Sequence, residues 1–147
     1  MKLLTSSEKK KLIEQLNQQY GITNILFELI KFGEEKLRIF SGNLTKEKLI
    51  LLDRELRIEN IGLYFAKIEH DGIRLTFDGI QIFKNQITKN ILELDEKQAD
   101  DWLRGNELYI KSDKAFKILK YNNEFIGCGK STGEKITNYM PKERRVR

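Results

Sequence analysis

Lys130, Lys135, Lys142, Arg144, Arg145 and Arg147 crowd the end of the chain, within "GCGKSTGEKITNYMPKERRVR". Cations in such density suit phosphates, because each one that meets a phosphate releases a condensed counterion. Arginine adds a planar fork for bidentate contact. Tyr139 offers a face on which an unpaired base could stack, and Asn138 beside it could read a base edge. Gly127, Gly129 and Gly133 would let the backbone approach a ligand closely. The same residues also suit a packed strand end, with Tyr139 in a core beside Met140 and Pro141 and the glycines at bulges.

Catalytic chemistry has little to stand on. His70 is the single histidine and falls in a turn signal beside Asp71. Cys128 is the single cysteine, which excludes an internal disulfide and a cysteine-based zinc cluster. Its flanking glycines imply close backbone packing more than a reactive thiol. "GKST" imitates a phosphate loop, but the first glycine that loop requires would stand at Glu124 and is absent. The acid pairs Asp100-Asp101 and Glu34-Glu35 fall where helices and turns favour acids anyway. A methyltransferase sheet does not fit into 147 residues beside the terminal module. The residues therefore point to binding, with no metal and no cofactor expected.

Charge placement says more than the formal net charge of +5. Residues 111–147 hold ten Lys/Arg against four Asp/Glu, net +6, while residues 1–110 hold seventeen against eighteen, net −1. A surplus gathered in one segment implies a polyanionic partner more than a generally solubilised surface. No stretch approaches the roughly 18 apolar residues of a membrane span, and the start lacks the apolar core of a signal peptide. The expected compartment is cytoplasmic, without membrane contact.

These residues must be positioned by short elements. Thr5 and Glu8 are spaced as a capping box ahead of Leu12, Ile13, Leu16 and Tyr20 at helical period, with Gly21 as a stop. "NILFELI" (24–30) and "KLRIF" (36–40) read as strands about a turn at Gly33. Residues 45–56 suit a second helix. "NIGLYFAKIE" (60–69) and "IRLTF" (73–77) flank the hairpin signal Asp71-Gly72, and "IQIF" after them suits a strand or a short helix. Residues 95–105 read as an acidic helix ending at Gly105. "ELYI" (107–110), "AFKILKY" (115–121) and "EFIGCGK" (124–130) read as strands, the last two turning at Asn122-Asn123. The fold class expected is α+β, with an α/β region over 1–90 packed rigidly on a mostly β module over 91–147.

"LELDEKQADDWLRGNELYI" with "KILKYNNEFIGCGKSTGEKITNYMPKERRVR" resembles a PUA domain, the small RNA-binding pseudobarrel of pseudouridine synthases and archaeosine transglycosylases. The closing "NYMPKERR" is similar to the end of the PUA-like domain in Sun-family rRNA cytosine-5 methyltransferases, with Met140 where those have leucine. The N-terminal part, through "LTSSEKKKLIEQL", "IGLYFAKI" and "IRLTFDGIQIF", is similar to the pre-PUA domain of small ribosome-biogenesis factors. The resemblance implies a non-enzymatic protein that binds structured RNA, rRNA or tRNA-like, in rRNA processing or large-subunit assembly. It also implies a ribosome-assembly or RNA-modification protein as a further partner. The alternative reading is an adaptor that supports an RNA methyltransferase acting in trans. The RNA surface implied uses the loop after the acidic helix and a final basic strand. That surface carries onto Arg104, Gly105, Lys130, Asn138, Tyr139, Lys142, Arg144 and Arg145, with Lys135 and Arg147 added on charge.

Overall fold

The computed structural model describes residues 1–56 and 61–147. The first sheet runs β1 (Lys2–Leu3), β2 (Glu28–Phe32), β3 (Lys36–Phe40), β4 (Leu63–Glu69) and β5 (Gly72–Leu75), in that spatial order and antiparallel throughout. Helix α1 (Ser6–Tyr20) starts where its capping box directs. Thr5 Oγ1 accepts from the Glu8 amide, and the Glu8 carboxylate accepts from the Thr5 amide. It ends on Gly21, whose φ of 87° a side chain would resist. Leu12, Leu16 and Tyr20 are its buried stripe. Helix α2 (Lys46–Leu56) buries only Leu49.

The sequence places strands well where they alternate and less well at their ends. The strand expected from Asn24 begins at Glu28, and the start expected at Asn60 lies outside the described residues. Phe77, expected in a strand, opens helix α3 (Phe77–Phe83) instead, because the Thr76 hydroxyl accepts from the Gly79 amide and caps a helix there. "IQIF" is therefore helical. α3 packs against β4, β5 and the second sheet at once.

The second sheet has the order β6 (Ile91–Glu93), β7 (Phe116–Tyr121), β8 (Glu124–Ser131), β9 (Ile136–Asn138). β6 lies parallel to β7 and the remaining pairs are antiparallel. The β7–β8 turn uses Asn122 and Asn123 at φ of 50° and 66°, the left-handed pair a two-residue hairpin needs. Helix α4 (Glu96–Leu103) is capped by Asp95 and Gln98 acting reciprocally. Two expectations fail here. "ELYI" forms no strand, only an isolated bridge from Leu108 to Ile136. The final basic strand is absent too: past Asn138 the chain turns through a short 3-10 turn, Lys142–Arg144, behind Pro141.

β7 is buried on both faces, which follows from period-two alternation. Phe116 and Ile118 join Cys128 in a core with Leu16, Tyr20, Phe65 and Ile80 of the first region. Leu119 faces the other way, into a smaller core with Trp102, Leu108 and Ile136 under α4. One apolar cluster thus runs across both sheets. No helix among the described residues is long and apolar enough to cross a membrane.

Candidate nucleic-acid interface

Trp102 organises the terminal module. It is 1% exposed and packs against the backbone of β8, where a Cβ on Gly127 would come within 2.6 Å of its indole nitrogen and one on Gly129 within 2.8 Å of its ring. Those two glycines serve the tryptophan, not a ligand. Gly133 differs: it sits in an open turn at φ of 104° with space around it. Asn138 is used up locally as well. Its Nδ2 donates to the carbonyls of Trp102 (2.8 Å) and Asn106 (2.9 Å), and its Oδ1 accepts from the Met140 amide (2.8 Å). It locks the chain after β9 to the end of α4, with both Nδ2 hydrogens committed there.

The predicted cations divide sharply. Arg104 caps α4 and pairs with Asp100 at 3.0 Å. Lys130 pairs with Asp71 in the β4–β5 turn, and Lys135 with Glu107 at 3.0 Å. Arg144 reaches Asp78 at 3.1 Å and lies 5.3 Å from the Phe77 ring centre. Arg145 donates from Nε to the Met140 carbonyl at 3.1 Å and covers Gly105, where a Cβ would strike its side chain. Lys142 and Arg147 are exposed and carry no acid partner among the described residues. Much of the basic surplus therefore meets acids of residues 1–110: Lys120 with Glu93, Lys130 with Asp71, Lys135 with Glu107, Arg144 with Asp78. In sequence a solvated lysine and a paired one look the same.

Tyr139 is half-buried, with the Arg74 guanidinium 4.3 Å from its ring centre. Burial, its largest influence, pushes its phenol up. Together with Arg144 it lines a cavity of about 580 Å³ between the two sheets. Arg74, Phe77 and Trp102 also line it, and sequence reasoning missed the first two. Phe77 was hidden inside an assumed strand; Arg74 carries no local mark of its distant partner. The bulge in β8 contributes too. Leu119 pairs with Gly127 and Lys120 with Phe125, which leaves Ile126 out of register and on the cavity wall.

The remaining chemical candidates are placed plainly. His70 is an exposed turn residue. Cys128 is buried and its thiol is pushed up to about 11, chiefly by burial, so almost no thiolate exists near neutrality. No group of three His, Cys, Asp or Glu among the described residues could hold a metal.

The segment that carries β6–β9 and α4 has a counterpart among known sequences. Residues 89–146 match a family described as the methyltransferase RsmF PUA domain, so the terminal module is similar to a PUA domain. It resembles the corresponding domain of bacterial rRNA methyltransferases, as the sequence implied. The chain is 29% identical over 146 residues to the ribosomal RNA small subunit methyltransferase F of Psychromonas ingrahamii, covering 95% of this chain and 29% of that protein. It is 28% identical over 138 residues to the protein of that name from Vibrio cholerae, and 23% identical over 143 residues to that of Photobacterium profundum. The similarity thus reaches well beyond the PUA domain into the first sheet. The chain spans under a third of the length of these relatives.

Proposed function

We propose that this chain is an RNA-binding module that serves rRNA methylation, with residues 1–90 as an α+β domain of the pre-PUA kind and residues 91–147 as the PUA domain. The observation that carries the reading is the PUA match over residues 89–146 in a chain whose relatives are named as small-subunit rRNA methyltransferases. Those names favour support of a methyltransferase over assembly of the large subunit. The module binds and positions structured RNA in the cytoplasm, and methyl transfer belongs to other residues. Lys142 and Arg147, exposed and without acids, are the first phosphate contacts, with Arg145 held between them over Gly105. Arg104, Lys130, Lys135 and Arg144 contribute only to the extent that RNA displaces their carboxylates.

Filter binding to a small-subunit rRNA fragment tests this across a range of salt. The expected result is affinity that falls steeply with salt, with Lys142→Glu and Arg147→Glu together lowering the log–log slope by roughly two units. Unchanged affinity and slope in that variant would remove the proposed contacts. Absence of binding by the unaltered chain would remove the function.

A further inference from the structure

The cavity between the sheets has features that phosphate binding does not use. Its volume, about 580 Å³, suits a small planar ligand. Two arginine–aromatic stacks frame it: Arg74 on Tyr139 at 4.3 Å and Arg144 on Phe77 at 5.3 Å. Its charges cancel, since Asp78 and Glu143 line it alongside the two arginines. A free phosphate gains nothing from such a balance; a neutral ring does. Leu75, Ile126 and Met140 supply apolar wall.

Two lining residues also hold buried N–H groups. Arg74 Nε, which lies 3.7 Å from the Glu69 carboxylate, and the Trp102 indole nitrogen are buried and make no hydrogen bond among the described residues. Both atoms are closed to solvent, so they belong to the packed wall of the cavity and not to the surface a ligand would meet.

We infer that this cavity receives one unpaired nucleobase, turned out of the RNA that the PUA domain holds; the inference rests on the RNA-binding reading. A base brings a π-face for the aromatic and guanidinium walls and a flat apolar body for Leu75, Ile126 and Met140. Phe77 is the residue best placed to meet it at the mouth, being 38% exposed with Arg144 across it.

Trp102 is the chain's single tryptophan and lines the cavity, so its fluorescence reports occupancy. The experiment compares a short single-stranded RNA of mixed sequence with an RNA of equal length whose internal positions are abasic, on the unaltered chain and on Phe77→Ala. The base-bearing RNA is expected to quench Trp102, and the abasic RNA to bind through its phosphates without quenching. Phe77→Ala should weaken the base-bearing RNA roughly tenfold, the scale of one lost stacking contact, and leave abasic RNA unaffected. Equal affinity for both RNAs without quenching would overturn the base pocket and spare the RNA reading. Failure of both RNAs to bind would overturn both. A response of Trp102 to a leucine-rich peptide and not to RNA would give the cavity to a protein partner and overturn it as well.

Discussion

Arg144 Nη2 reaches both carboxylate oxygens of Asp78, at 3.1 and 3.3 Å, and so ties the tail to the first turn of α3 across the cavity. The tie is reinforced from the other side, where the Val146 amide donates to the Leu103 carbonyl at 2.7 Å. Under the proposed RNA-binding reading, Arg144 is thus held by an acid with which RNA must compete. Both side chains are nearly half exposed, so the pair contributes at most about 1 kcal/mol.

Asp78→Asn should therefore leave thermal stability almost unchanged and free Arg144 for phosphate. RNA affinity at low salt is expected to rise, and the log–log salt slope to steepen by about one unit. Binding measured at several salt concentrations checks this. A fall in affinity would mean that Arg144 matters as the clamp of the tail and not as a contact.

Gly127→Ala should be among the most damaging single-methyl changes in the chain. Its Cβ would stand 2.6 Å from the indole nitrogen of Trp102, a side chain only 1% exposed. Overpacking of this kind costs about 1–3 kcal/mol, read as a lower urea midpoint in a Trp102 fluorescence titration. Gly105→Ala meets the flexible end of Arg145 instead. Its cost is that of the left-handed backbone at φ of 92°, about 1 kcal/mol.

The contrast between those glycines shows what a sequence can carry. Local signals were legible. The Thr5–Glu8 capping box, the Gly21 stop and the Asn122-Asn123 turn involve residues within four positions of one another, and all three form as read. Strand β6 was not legible, because Ile91 becomes a strand only by pairing in parallel with Ile118. Nor was the candidate site. Lys130 pairs with Asp71, and Arg74 stacks on Tyr139, across some sixty residues, and composition records neither partner. The charge count located the surplus correctly and could not say how much of it the fold would neutralise.

Cys128 should behave as a structural thiol. With its pKa pushed up to about 11 by burial, it is expected to resist iodoacetamide at pH 8 in the folded chain. Alkylation should proceed only as fast as the protein opens, and adding urea should accelerate it to the rate of a free thiol. Fast labelling of the folded chain would reopen a chemical role for it.

Glu8 gives the acid limb of stability a specific cause. Its carboxylate accepts from Lys2 Nζ at 2.6 Å and from the Thr5 amide at 2.8 Å, which lowers its pKa from 4.5 to about 2. The Lys2 contact is the larger cause. A depressed carboxylate stabilises the fold above its unfolded value, so the contribution is complete above pH 4.5 and disappears as pH falls toward 2. The stability difference between the unaltered chain and Glu8→Gln should accordingly be flat above pH 5 and shrink steadily below it. Lys2→Ala should move the Glu8 midpoint upward without removing the capping box, which NMR titration of the Glu8 side chain would record. A Glu8 midpoint near 4.5 in the unaltered chain would mean that the Lys2 pair does not persist in solution, and that α1 is held at its start by Thr5 alone.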